Sequence, residues 1–220
     1  MTMNRRQTLA LMGAATVAPA LGTPAIAMGT KLKVGALRFT SHAASFVAFE
    51  RGYFTDEGLN VEFEFFQAAQ PMAVAIASGD ADYAVTAISG GLISLAEKGA
   101  AKVIGGALSE EAGIDGQKLL ASNAAYEAGL TSPAAMDGKK FGVTQAGSSF
   151  HYMGSKIAAA EGAPLEFVPL QKVGAEIGAL RSGQIDAWSI VPHIAKPLAG
   201  SDAVKMIGNV AVYLPNYQVT

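Results

Sequence analysis

Four short runs hold the side chains best suited to chemistry: Phe39-Thr40-Ser41-His42, Thr86-Ala87-Ile88-Ser89-Gly90-Gly91, Thr144-Gln145-Ala146-Gly147-Ser148-Ser149 and Trp188-Ser189-Ile190-Val191-Pro192. Each stands between an apolar run with strand spacing and a segment with helical spacing. Hydroxyls and glycines at a helix start leave backbone N–H groups bare. With the helix dipole, these can hold an anion or a carbonyl oxygen without a formal positive charge. Ser and Thr are equally the ordinary N-cap residues of any helix. What argues for a site is the convergence of four such junctions from two halves of the chain. Arg38 is the only arginine at a junction, able to grip a ligand carboxylate with two parallel hydrogen bonds or to pair with Glu62 or Glu64. His42 is read as a ligand contact or a solvated, capping side chain. Trp188, the only tryptophan, is read as a ligand contact or as core.

Catalysis is poorly supplied. Ser148 has neither a recognisable base nor the Gly-x-Ser-x-Gly elbow of a nucleophile. Thr144–Ser149 lacks the Gly-Lys-Ser/Thr that would make it a phosphate-binding loop. The chain has no Cys, which removes thiolates, disulfides and Cys-held metals. Its three His (His42, His151, His193) are dispersed, so neither a metal nor another cofactor is expected. The arrangement supports binding.

Periodicity supplies the elements that must position these runs. Residues 32–38 read as a strand, 41–51 as a helix, and Val61–Phe66 as a strand whose alternation puts Val61, Phe63 and Phe65 on one face. A helix is expected over 71–77, a buried strand over Tyr83–Ile88, a helix over 92–98 and a strand over Val103–Leu108. The polar run Ser109–Gln117 breaks the pattern, which restarts with strands at 118–122, 140–145, 166–170 and 185–190. Helices at 148–161, 173–182 and 192–198 alternate with them, 132–138 is a capped turn, and 204–207 and 210–214 close the set. Such alternation argues for α/β architecture with a mostly parallel sheet in each of two lobes. The lobes are placed at 28–110 and 111–216, with 217–220 starting a crossover back. In open α/β sheets ligands bind beyond the carboxyl ends of the strands, where the four runs lie.

Half of the 220 residues are hydrophobic and only 15% are charged, which excludes a disordered chain. A formal charge of −2 leaves no basic footprint for nucleic acid. Residues 1–27 read as an export signal: Arg5-Arg6, a weakly apolar stretch at 9–22, and Ala25-Ile26-Ala27 as the cut. Adjacent arginines ahead of so mild an apolar stretch fit the twin-arginine type, with an ordinary signal peptide as the alternative. That stretch is too short to span a bilayer. Without Cys no lipid anchor can form, so the expected location is the periplasm of a two-membrane bacterium.

Four further motifs carry a resemblance. Phe49–Val61 (FERGYFTDEGLNV), Ala77–Thr86 (ASGDADYAVT), Met136–Val143 (MDGKKFGV) and Ala179–Trp188 (ALRSGQIDAW) run in the order found in periplasmic solute-binding proteins of ABC importers. The branch they resemble serves nitrate, sulfonate, taurine and thiamine precursors. The resemblance implies a two-lobed periplasmic binding protein type II fold that closes on a small solute and then docks on a membrane permease with its ATPase. It implies a ligand shell of Arg38, Thr40, Ser41, His42, Thr86, Ser89 and Gly90 from lobe one. Gln145, Gly147, Ser148, Ser149 and Trp188 would come from lobe two. The expected ligand is a small organic anion and the expected state a monomer. The alternative is an enzyme on the same fold, of the pyrimidine-precursor or menaquinone-pathway type; the synthases among these carry a Cys-rich motif that this chain lacks. A sensory module would need a membrane span. Members of the family usually return to lobe one with a strand and several helices, which are expected to be missing here, leaving exposed apolar surface on lobe one.

Overall fold

The computed structural model describes residues 29, 31–111 and 113–220. The segment read as an export signal lies outside the described residues.

In the first half, strand β1 (Lys31–Ala36) is the centre of a three-stranded parallel sheet between β2 (Asn60–Phe65) and β3 (Tyr83–Ala84). Parallel neighbours require a crossover. Helices α1 (Ala43–Glu50) and α2 (Tyr53–Asp56) provide the first and α3 (Ala69–Ser78) the second; α4 (Gly90–Glu97) follows β3. The alternation of β2 puts Phe63 against Phe46 and Phe49 of α1, edge-on with ring centres 5.3 and 5.5 Å apart. On the opposite face Met72 of α3 is fully buried over Gly35. A Cβ there would lie 3.4 Å from Met72 Cγ and 3.2 Å from the Phe66 ring, so the missing side chain lets the helix settle onto the strand.

The second half holds β5 (Lys118–Ser122), α5 (Asn123–Glu127), β6 (Lys140–Val143), α6 (Ser149–Glu161) and β7 (Glu166–Pro169). It continues with α7 (Val173–Arg181), β8 (Ala187–Ile190), α8 (Pro192–Gly200) and β9 (Val204–Asn209). The sheet order is β7-β6-β8-β5-β9. Strand β6 is parallel to β7 and β8, whereas β5 runs antiparallel to β8 and β9. All residues of β5 and β8 are buried, as expected of strands covered on both faces. Leu119, Leu120, Phe141, Met153, Ile157 and Trp188 form a closed core around them.

One local device is built twice. Gly79 (φ 78°) ends α3 in the left-handed conformation, and three residues on, Asp82 accepts the Lys33 N–H with its carboxylate at 2.8 Å. Gly183 (φ 73°) does the same after α7, and Asp186 accepts the Lys140 N–H at 2.8 Å. In each half this Asp pins the central strand of a parallel trio, which is why Gly-x-x-Asp occurs in both.

Two segments link the halves. Strand β4 (Ser109–Glu110) leads out of the first half and pairs antiparallel with β10 (Tyr217–Gln218), which leads back out of the second. Thr220 O accepts the N–H groups of Ala107 and Leu108 at 2.7 and 3.2 Å.

Several expectations are corrected. Val103–Leu108 is no strand: Val103 and Ile104 are 62% and 81% exposed, with no neighbour to pair them. The strand expected over Tyr83–Ile88 is only two residues long and Tyr83 is exposed. Residues 210–212 form a 3-10 turn, α5 was not foreseen, and β5 makes the second sheet mixed. No helix of the described residues is long and apolar enough to cross a membrane.

Candidate functional site

The halves face each other across the carboxyl ends of their parallel strands. Two of the four runs touch: the Gly90 N–H donates to Gly147 O at 2.9 Å. A third run reaches across beside them. Phe39 packs on the core of the second half and stands edge-on to His193, ring centres 6.0 Å apart. Thr40 Oγ1 lies 3.2 Å from His193 Nδ1.

Between these contacts is a cavity of about 30 Å³. The first half contributes Phe39, Ser41 and His42 to its wall, and the second half Gln117, Ser148 and Ser149. No lysine, arginine, aspartate or glutamate side chain lines it. A space of that size holds a water or two, so the halves are shut on one another and a solute would need them to part.

Chemistry at the wall is that of neutral donors. Ser148 is the N-cap of α6, its Oγ accepting the His151 N–H at 3.3 Å. The first N–H groups of a helix have no partner within it, and those of Ser149 and Phe150 donate to no backbone carbonyl among the described residues. Both residues line the cavity, so the positive end of a 13-residue helix opens onto it. His42 is buried, and its Nδ1 accepts the Leu37 N–H at 3.0 Å, which leaves the ring proton on Nε2. Burial lowers its pKa to about 4, so at neutral pH it is an uncharged N–H donor.

Of the expected shell, Ser41, His42, Ser148 and Ser149 line the cavity. Gly90 and Gly147 form the seam beside it; Ser89 caps α4 by accepting the Leu92 N–H at 3.3 Å. Gln145 accepts the Ser148 N–H with its backbone oxygen, and Thr86 is half-buried with its hydroxyl unpartnered. Arg38 does not reach the cavity. It is exposed and stacks 3.7 Å over the Phe65 ring, lining with Thr40 an open groove of about 740 Å³ whose wall is otherwise the first half and His193. Among the described residues it pairs with neither Glu62 nor Glu64; Glu62 is taken by Lys31. Trp188 is fully buried in the core against Phe150, ring centres 6.3 Å apart, and has no share in the wall. Large apolar strands draw a large apolar ring inward. Next to it, also outside the wall, is the fully buried Glu176, whose pKa burial raises to about 8. The nearby Trp188 indole N–H favours the ionised form but lies outside hydrogen-bonding geometry. Gln117 was missed as a wall residue, and Phe39, which opens the first run, stood outside the implied shell. Gln117 ends a polar run that reads as a linker, and its position directly ahead of a buried strand was the one available signal. Among the described residues no cluster of three His, Asp or Glu could hold a metal.

A family model described as NMT1/THI5 like matches residues 39–206. No curated protein sequence matches the chain. Among solved structures, the alkanesulfonate-binding protein SsuA of Xanthomonas axonopodis pv. citri, bound to MOPS, has a TM-score of 0.68 at 18% identity, over 85% of this chain and 64% of that one. The periplasmic aliphatic sulphonate binding protein SsuA of Escherichia coli gives 0.57 at 17% identity, over 81% and 56%. A Candida albicans gene product described as exhibiting the generic periplasmic binding protein structural fold gives 0.60 at 18%, over 80% and 58%. The two-lobed α/β chain therefore has the periplasmic binding protein fold, and it spans about 56–64% of the length of these three.

Proposed function

The chain belongs to the NMT1/THI5-like family, and from that premise we propose that it is the extracytoplasmic solute-binding component of an ABC importer. It takes a small organic acid between its lobes, residues 28–110 and 111–216, and presents it to a permease. Residues 1–27 direct export to the periplasm and are cut off near Ala27. It binds its solute without turning it over. The observation that carries this reading is the start of α6. Two free N–H groups, those of Ser149 and Phe150, sit at the positive end of a long helix and open onto an interlobe cavity. A carboxylate or sulfonate oxygen there would be held by amides and by the hydroxyls of Ser41 and Ser149, with no cationic side chain required. Arg38 has no part in it.

A thermal-shift screen of sulfonates, nitrate, aliphatic and aromatic carboxylates and pyrimidines tests the reading. A true solute stabilises by RT ln(1 + [L]/Kd), about 2.7 kcal/mol at a hundredfold excess over Kd. Saturable stabilisation by an acid is the expected result. Chemical conversion of any compound in the screen would replace binder by enzyme.

A further inference from the structure

Besides the α6 amides, the cavity wall carries a buried acceptor atom that no acid oxygen can satisfy. Gln117 is 2% exposed and lines the cavity, and its Oε1 is fully buried with no hydrogen-bond partner. Its main chain is fully engaged. The N–H donates to both oxygens of the Glu110 carboxylate, at 2.9 and 3.2 Å, and the carbonyl accepts the Val210 N–H at 2.9 Å. Gly116 is what allows the first contact: a Cβ there would stand 1.8 Å from Glu110 Oε2. Glu110 belongs to β4, so the linking strand itself fixes Gln117 and leaves the carboxamide as its only free part. A buried acceptor without a donor costs about 1–3 kcal/mol, and nothing else on the wall supplies one to it.

We infer that Gln117 is a specificity-determining residue whose carboxamide oxygen accepts an N–H or O–H from the solute. The solute is then two-ended: an acid oxygen for the amides of α6 and a hydrogen-bond donor for Gln117. This rests on the solute-binding reading and narrows it. A bare sulfonate, carboxylate or nitrate satisfies one end only and leaves the other buried and unpaired, and a desolvated orphan is what makes hydrogen-bonding sites selective. Glu110 acts through Gln117 as a positioning residue.

The test is calorimetric titration of the whole protein with matched pairs, 3-aminopropanesulfonate against propanesulfonate and 4-aminobutyrate against butyrate. In the unmodified protein the amino member of at least one pair should bind about tenfold or more tightly than its partner. Gln117→Leu, of similar shape without the acceptor, should bring the two members to parity, while Gln117→Glu, which keeps an acceptor, should preserve or widen the gap. Thermal melts of both variants establish that they fold. Equal affinities within each pair in the unmodified protein, or a gap that survives Gln117→Leu, would overturn the inference and leave solute binding standing. If none of the four compounds binds, the inference falls, and the wider screen of acids decides the solute-binding reading separately.

Discussion

The two lobes use the same local grammar and reach different degrees of closure. In lobe two a five-stranded sheet is covered on both faces, and Trp188, Phe141, Leu119, Leu120, Met153 and Ile157 are each essentially inaccessible. In lobe one, among the described residues, a three-stranded sheet has one large apolar side chain buried to that degree, Met72. Phe49, Phe65, Val47, Val74 and Ile93 are 38–58% exposed. The Phe46–Phe49–Phe63–Phe65 cluster makes aromatic contacts but lacks an outer layer. Identical Gly-x-x-Asp clamps thus set strand geometry in both lobes without setting stability, which depends on how much apolar area leaves water.

Core truncation should separate the lobes most. Trp188→Ala should cost about 3–5 kcal/mol, as expected for a large side chain removed from a packed core. Phe63→Ala, which loses partly exposed contacts, should cost about half as much or less. Urea denaturation monitored at both lobes reads this; equal losses would mean that lobe one is as well packed as lobe two.

Titration should sharpen the contrast, with opposite signs. Glu176 in lobe two has its pKa raised from 4.5 to about 8. The folded form therefore holds a proton that the unfolded chain releases, and stability falls as pH rises from about 4.5 to 8. His42 in lobe one has its pKa lowered from 6.5 to about 4. Here the unfolded chain binds the extra proton, so stability falls as pH drops from 6.5 to about 4, when a proton on Nδ1 would evict the Leu37 N–H. Each effect is worth roughly 3–5 kcal/mol across its window, since one pKa unit is about 1.4 kcal/mol. Glu176→Gln should flatten the alkaline limb and leave the acid limb intact, with thermal melts across pH as the measurement. A variant that changes both limbs would break the assignment.

The smallest effect concerns the caps. Ser148→Ala and Ser89→Ala each remove one N-terminal cap, a loss of about 1 kcal/mol. Only Ser148→Ala should also weaken solute binding, because Ser148 lines the cavity and Ser89 does not. Equal effects on titrated affinity would put the two starts on the same footing.

What could be read in advance follows the same division. The lobe-two strands are short, apolar and bounded by turn residues, so their positions were legible to within a few residues. The Val103–Leu108 segment misled because Val103, Ile104 and Leu108 are strand formers. Gly105 and Gly106 instead let it run as irregular chain toward the link, where a Cβ on Gly106 would strike the Gln218 side chain at 2.6 Å. The direction of β5 was not legible, since spacing carries no information on whether a strand enters a sheet from its own lobe or from another. At the site, hydroxyls at helix starts were legible because capping and ligand binding ask for the same residue types. Gln117 was not, because its placement comes from main-chain bonds to Glu110, seven positions back, and to distant Val210. Arg38 looked like an anion contact by type, and its cation–π stacking on Phe65 depends on a strand that ends 27 positions later.

Two polar contacts bridge the mouth among the described residues, Gly90 with Gly147 and Thr40 with His193. On the solute-binding reading, opening the clamp sacrifices these two modest hydrogen bonds, about 1–3 kcal/mol in all, together with the packing of Phe39 on the second half, while the β4–β10 strap stays intact. On the same reading, a guest of micromolar strength, worth about 8 kcal/mol, decides which posture prevails provided that it binds one far better than the other.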